Sequence, residues 1–126
     1  MIGIDIVEIK RVEKLLQKYP TNALKRFLND EEIVLCKSSP QSIAGFYAAK
    51  EAVAKALGCG IGKKCGFKDI RICKDKNNAP YFTVKKKLID EFCIKDSSLS
   101  ITHDGGFAIA VVYFLTDKNS SKKLFH

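Results

Sequence analysis

The feature that most constrains this chain is the run Phe46-Tyr47-Ala48-Ala49-Lys50-Glu51-Ala52-Val53-Ala54-Lys55-Ala56-Leu57-Gly58. It predicts a helix with well-marked ends. Ser39 is placed to cap it, Pro40 suits its first turn, and Gly58 suits the residue just past its end. Phe46, Ala49, Val53, Ala56 and Leu57 recur at helical spacing and make an apolar stripe. Glu51 and Lys55 stand four apart on the opposite side, with Ala48 and Ala52 beside them. Side chains that small let a second element, or a ligand, come close. Directly after the helix comes Gly58-Cys59-Gly60-Ile61-Gly62-Lys63-Lys64, a flexible turn followed by two cations.

The elements on either side read as a mixed fold. Ile2 to Ile9 predicts a strand in which Ile2, Ile4 and Ile6 alternate with Gly3, Asp5 and Val7. Asp5 is the odd member, because a carboxylate in a buried strand is costly unless paired or bound to a cation. Its plainer role is a strand-edge Asp that reaches a backbone N–H or a lysine. Lys10 to Lys18 predicts an amphipathic helix with Val12, Leu15, Leu16 and Tyr19 buried, while Lys10, Arg11, Lys14 and Lys18 gather on an adjoining face. That face is either solvated charge or a docking surface for something acidic, extended by Lys25 and Arg26. Asn29 or Asp30 can cap a further short helix through Cys36.

Beyond the glycine turn, Phe67 to Cys73 and Pro80 to Val84 predict strands joined by a turn rich in Asn, Asp and Lys. Lys85 to Cys93 predicts a short helix. Leu99 to Thr102 and Phe107 to Leu115 predict a final hairpin across His103-Asp104-Gly105-Gly106. From Thr116 on the chain is polar and is expected to be a tail. At 126 residues one domain, 1–126, is expected.

Composition narrows the class. The net charge of +8, from 22 Lys+Arg against 14 Asp+Glu, favours an acidic partner or a polyphosphate substrate. The five cysteines are irregularly spaced without a CxxC pair, and the two histidines are His103 and His126. A disulfide framework and a structural zinc site are not expected; reduced thiols in a cytoplasm are. The start has no positive leader, and no apolar run is long enough to span a membrane, so no membrane partner is expected.

Asp5 and Glu51 are the carboxylates embedded in strongly apolar or small-residue segments. Two carboxylates, completed by waters and a substrate phosphate, are a usual way of holding Mg²⁺. Lys50, Lys55, Gly60, Gly62, Lys63, Lys64 and His103 carry groups that suit phosphate oxygens. The glycine turn lacks P-loop spacing, and a helix C-cap alone accounts for Gly58. Glu51 and Lys55 are also readable as a simple ion pair one turn apart.

Gly3-Ile4-Asp5-Ile6-Val7-Glu8-Ile9, then Ala49-Lys50-Glu51-Ala52 with Lys55-Ala56-Leu57-Gly58 and Gly60-Ile61-Gly62, then Ser100-Ile101-Thr102-His103 together resemble the small class of 4'-phosphopantetheinyl transferases, the holo-[acyl-carrier-protein] synthases. Phe67-Lys68-Asp69-Ile70 and Pro80-Tyr81 fit the same family's middle segment, and the likeness runs from Gly3 to about Leu115. Two positions depart from it: Phe46 stands where the family usually has Arg, and Asn78-Ala79-Pro80 where it usually has Gly-Lys-Pro.

The resemblance implies an α+β fold, a long central helix packed on a small mainly antiparallel sheet. It implies transfer of phosphopantetheine from coenzyme A to a serine of apo acyl carrier protein, supporting fatty acid biosynthesis, with adenosine 3',5'-bisphosphate as the other product. It further implies a homotrimer with coenzyme A held between neighbours. Asp5 and Glu51 match the family's Mg²⁺ ligands, Lys55 a charge-stabilising or proton-transferring position, and Lys50 and His103 coenzyme-contacting positions. Lys63 and Lys64 are placed to offset the charge missing at Phe46, whose own expected role is core packing. The basic stripe Lys10, Arg11, Lys14 and Lys18 would dock the acidic carrier protein. The alternatives are a basic α+β module that binds nucleic acid and an inactive structural relative. Against the first, RNP, KH and helix-turn-helix signatures are missing from the sequence.

Overall fold

A computed structural model describes residues 1–20 and 22–117. In chain order the elements are β1 (Ile2–Glu8), α1 (Ile9–Lys18), α2 (Asn22–Lys25), α3 (Asp30–Cys36), α4 (Pro40–Ala56), a 3₁₀ turn at Phe67–Asp69, β2 (Ile70–Lys74), β3 (Pro80–Val84), α5 (Lys86–Phe92), β4 (Ile94–Asp104) and β5 (Phe107–Thr116). Strands β1, β5 and β4 form an antiparallel sheet in that order, and β2 pairs with β3 in a separate hairpin. One face of the three-stranded sheet packs on α4.

The ends of α4 follow from local chemistry. The Ser39 side chain accepts a hydrogen bond from the Ser42 N–H, and Pro40 opens the helix. Gly58, at φ +82°, lets the chain turn back so that its N–H and those of Cys59 and Gly60 reach the last helical carbonyls. Asn29 caps α3 reciprocally with Glu32. The expected apolar stripe of Phe46, Ala49, Val53, Ala56 and Leu57 is buried throughout. The small residues beside Glu51 are buried as well, and β1 covers them. A Cβ on Gly3 would lie 2.0 Å from the Ala52 carbonyl oxygen, so glycine is what lets the strand touch the helix backbone.

That contact fixes which way β1 faces. The alternation is as expected, but Gly3, Asp5 and Val7 face α4. Ile2, Ile4 and Ile6 stand on the outer face, 70%, 60% and 57% exposed. There they pair across the sheet with Tyr113, Val111 and Ile109. Other expectations are also corrected. Phe67–Asp69 is a 3₁₀ turn rather than strand, and β4 begins at Ile94, so the last hairpin is much longer than foreseen. Leu15 and Tyr19 are exposed rather than buried, because α1 lies over the edge of α4 and leaves an open groove there. The tail expected over 116–126 begins later, since β5 includes Thr116; residues 118–126 lie outside the described residues.

The largest departure is Lys50. Expected at the coenzyme, it is instead fully buried, with its ammonium 2.7 Å from Glu32 Oε1, which is equally buried. Its other two donors go to the Phe27 carbonyl at 2.7 Å and the Phe67 carbonyl at 3.1 Å. The second Glu32 oxygen accepts from the Ile72 N–H at 2.7 Å. Burial pulls the Lys50 ammonium below the usual lysine range, and Glu32 opposes that shift. Removing one partner strands the other's charge in the core. Lys50→Met is therefore expected to lower unfolding free energy by about 3–5 kcal/mol, and Lys50→Met with Glu32→Leu by less than that. Chemical denaturation of the two variants checks the order; a double variant no more stable than the single one contradicts this account.

Candidate functional site

Where β1 crosses α4, the close approach at Gly3 brings Asp5 beside the outward turn of the helix. Lys55 Nζ donates to Asp5 Oδ1 at 2.8 Å. Glu51, one turn earlier, is half-buried on the same side, and the Asp5 charge acts on it directly. The two carboxylates singled out in the sequence thus come near enough for one to act on the other, although they belong to elements far apart in the chain.

Their electrostatics suit a cation. Burial first, and the Asp5 charge second, push the Glu51 carboxyl above the usual glutamate range, while Tyr47 and Lys55 pull it back. Ionising Glu51 beside an ionised Asp5 costs free energy that a divalent ion between them would recover. Lys55 offsets part of the charge, and the hydrogen bond it donates to Asp5 raises it above the ordinary lysine value, so it is an ammonium at neutral pH. Among the described residues there is no cluster of three or more His, Cys, Asp or Glu side chains fit to hold a metal. A cation here would take two protein carboxylates and complete its shell with water and phosphate oxygens, the arrangement that suits Mg²⁺.

Tyr47 is a member of this group that the sequence reading passed over. Burial, followed by the Glu51 charge, pushes its hydroxyl above the usual tyrosine range. The available signal was spacing: Tyr47 and Glu51 are four apart on one helix.

Two hollows open along α4, one lined by Tyr47 and the other by Gln41, Ser42 and Phe46. On one side a groove of about 420 Å³ runs between α1 and Tyr47, and an adjoining one of about 370 Å³ shares Leu15, Tyr19, Phe27 and Tyr47 with it. Arg11, Lys14 and Lys18 line the first and Arg26 the second. The expected basic stripe is exposed, and the Arg11 charge acts on Tyr47.

On the other side a cavity of about 250 Å³ opens at the start of α4, lined among others by Phe46, Lys74, Asn78, Ile101 and His103. His103 is on the same sheet face as Asp5, with β5 between them. Phe46 is buried, as its core role required. Lys74 in this cavity was not foreseen, because in sequence it is one more cation of a polar turn. Within one chain Lys63 and Lys64 do not line it. Lys64 instead pairs with Glu91 at 3.0 Å and lies over the Phe92 ring. Gly60, at φ +65°, and Gly62 shape the turn that carries these lysines.

Residues 1–112 match the model of the 4'-phosphopantetheinyl transferase superfamily. The chain is 57% identical over 115 residues to the holo-[acyl-carrier-protein] synthase of Nautilia profundicola, covering 91% of this chain and 99% of the relative. It is 57% identical over 112 residues to that of Helicobacter pylori strain G27, covering 89% and 94%. Among solved structures, the Helicobacter pylori holo-[acyl-carrier-protein] synthase in complex with coenzyme A superposes with a TM-score of 0.88 at 54% identity, covering 91% of this chain and 100% of the other. With its α+β fold, its motif order and its paired carboxylates, the chain belongs to the 4'-phosphopantetheinyl transferase superfamily.

Proposed function

We propose that this enzyme transfers the 4'-phosphopantetheine group of coenzyme A to a serine of apo acyl carrier protein, releasing adenosine 3',5'-bisphosphate and supplying carrier protein for fatty acid biosynthesis. The observation that carries the reading is the grouping of Asp5, Glu51 and Lys55, one turn from the Tyr47 that lines the basic groove. Relatives more than half identical are named for this reaction, and one was solved with coenzyme A. The alternative of a nucleic-acid-binding module draws nothing from the fold or the relatives.

In this reading Mg²⁺, held by Asp5 and Glu51, supplies charge neutralisation at the pyrophosphate. Lys55, already an ammonium, faces the phosphate charge that grows on the leaving bisphosphate as the bond to phosphorus breaks. Paired with Asp5, it has no lone pair with which to take a proton. Glu51, whose proton affinity burial has raised, takes the serine proton directly or through a water as the serine oxygen bonds to phosphorus. The basic stripe on α1 receives the acidic carrier protein. The cavity of Lys74, Asn78 and His103 takes the phosphorylated nucleotide end of coenzyme A.

The outer sheet face supports self-association, which we read as the homotrimer of the resemblance. Ile2, Ile4, Ile6, Tyr113 and Leu115 form an exposed apolar surface larger in character than scattered single residues. The five free cysteines fit a reducing, cytoplasmic setting. Among the described residues no helix is long and apolar enough to cross a membrane.

Incubation with coenzyme A, Mg²⁺ and apo acyl carrier protein is expected to add the mass of the phosphopantetheine arm to the carrier. Asp5→Asn and Glu51→Gln should each lower kcat by roughly a hundredfold or more, with far-ultraviolet circular dichroism unchanged. Near-normal turnover of either variant across a Mg²⁺ titration would remove the metal assignment.

Arg11→Glu is expected to raise the KM for carrier protein several-fold and leave that for coenzyme A near normal. The wild-type KM for carrier should itself rise with salt, since exposed charges are screened beyond about 10 Å at 0.1 M. Equal effects on both substrates would point to misfolding instead of docking. Lys74→Ala should weaken coenzyme A binding by on the order of ten- to a hundredfold, the worth of one charged hydrogen bond. The loss should shrink with 3'-dephospho-coenzyme A. A larger loss in Lys63→Ala with Lys64→Ala than in Lys74→Ala would return that role to the glycine turn.

A further inference from the structure

Tyr47 has more holding it than core packing requires. Its ring meets Phe27 edge-on, with centroids 5.1 Å apart and an interplanar angle of 84°. It meets Phe67 at 5.5 Å and 39°, and those two rings touch each other at 6.0 Å. Both flanking residues are anchored through their main chains, because the Phe27 and Phe67 carbonyls accept from the buried Lys50 ammonium. The Tyr47 ring is therefore clamped on two sides by residues tied to the buried core, and it stands one turn before Glu51 on α4, where each acts on the other's ionisation.

A glutamate one turn along a helix has three side-chain torsions and a wide sweep. Asp5 is held by Lys55 at 2.8 Å. A hydroxyl from Tyr47 would hold Glu51 differently: a neutral donor satisfies one lone pair without cancelling the charge. We propose that Tyr47 is a positioning residue for the transfer reaction, its clamped hydroxyl fixing the Glu51 carboxylate in the orientation that lets it share one cation with Asp5. The proposal rests on the reading of Asp5 and Glu51 as cation ligands. Donors of this kind behind a ligating carboxylate commonly change metal affinity by 10–100-fold when removed, and the figure expected here is about tenfold.

Tyr47→Phe keeps the ring and its two aromatic contacts and deletes the hydroxyl. The measurement is Mn²⁺ binding followed by electron paramagnetic resonance on the full chain with coenzyme A and no carrier protein. Wild type, Tyr47→Phe, Phe67→Leu and Glu51→Gln are compared side by side. Glu51→Gln is expected to lose the site, and Tyr47→Phe to bind Mn²⁺ about tenfold more weakly, with the thermal midpoint unchanged. Phe67→Leu, which keeps the hydroxyl but loosens its ring, should shift affinity in the same direction by less. Wild-type Mn²⁺ affinity in Tyr47→Phe overturns the proposal and leaves the carboxylate reading standing. A raised KM for carrier with unchanged Mn²⁺ affinity also overturns it, since the hydroxyl would then face the protein substrate. Wild-type affinity in Glu51→Gln removes the carboxylate reading, and the proposal with it.

Discussion

The buried pair of Lys50 and Glu32 is the interaction on which the arrangement around the site depends. Two charges taken out of water are expensive, and the cost is met only when geometry is close and every remaining donor and acceptor is used. Here all three ammonium protons have acceptors, and Glu32 also takes the Asn29 and Ile72 N–H groups. Those partners come from the end of α2, the start of α3, the 3₁₀ turn and β2. One residue of α4 thus gathers four segments that share little sequence neighbourhood. The pair stabilises the fold weakly, if at all, relative to a well-packed apolar core, but it admits few other arrangements of those segments.

The same helix sorts structure from chemistry at adjacent positions. Lys50 and Glu51 are neighbours, and the helical turn of about 100° per residue sends one into the core and the other to the site. Tyr47, Glu51 and Lys55 recur every fourth residue and share the open side, where β1 lies against Ala52 and Ala56. Through Phe27 and Phe67 the core pair reaches round the helix to the Tyr47 ring. Positioning of Glu51 is in this sense a property of the packed core and not of the site alone.

Much of this could be seen in the sequence, and what could not has physical causes. Ser39, Pro40, Asn29 and Gly58 mark helix ends through local hydrogen bonds, which depend on few neighbours. Asp5 and Glu51 stood out because acids inside apolar segments need a reason. Lys50 was misread because a lone cation on a helix is normally solvated, and its partner lies 18 positions away on another element. The outward face of Ile2, Ile4 and Ile6 was hidden for a different reason. Period-two alternation shows that a strand has two faces but not which of them the core takes. The decisive residue was Gly3, whose missing side chain matters only once α4 lies against it. Leu15 and Tyr19 look like core residues in sequence, because an apolar groove and an apolar core have the same composition. Lys74 carried no signal that separates it from Lys76, and only the closing of the β2–β3 hairpin against α4 sets it apart.

The outer sheet face and the site are coupled by that same alternation. Ile2, Ile4 and Ile6 occupy one side of β1, so Gly3, Asp5 and Val7 must occupy the other. A slip of one residue against β5 would turn Asp5 outward and present isoleucines to α4, where Gly3 alone fits. In a lone chain water penalises the register that puts the isoleucines outside, and the fit of Gly3 against α4 is what opposes that penalty. Covered by another copy in the proposed trimer, that face would reward the one register that puts the isoleucines outside. Self-association of this kind would then do more than hide apolar surface: it would hold Asp5 at Lys55 and Glu51 from behind, as Gly3 does from in front.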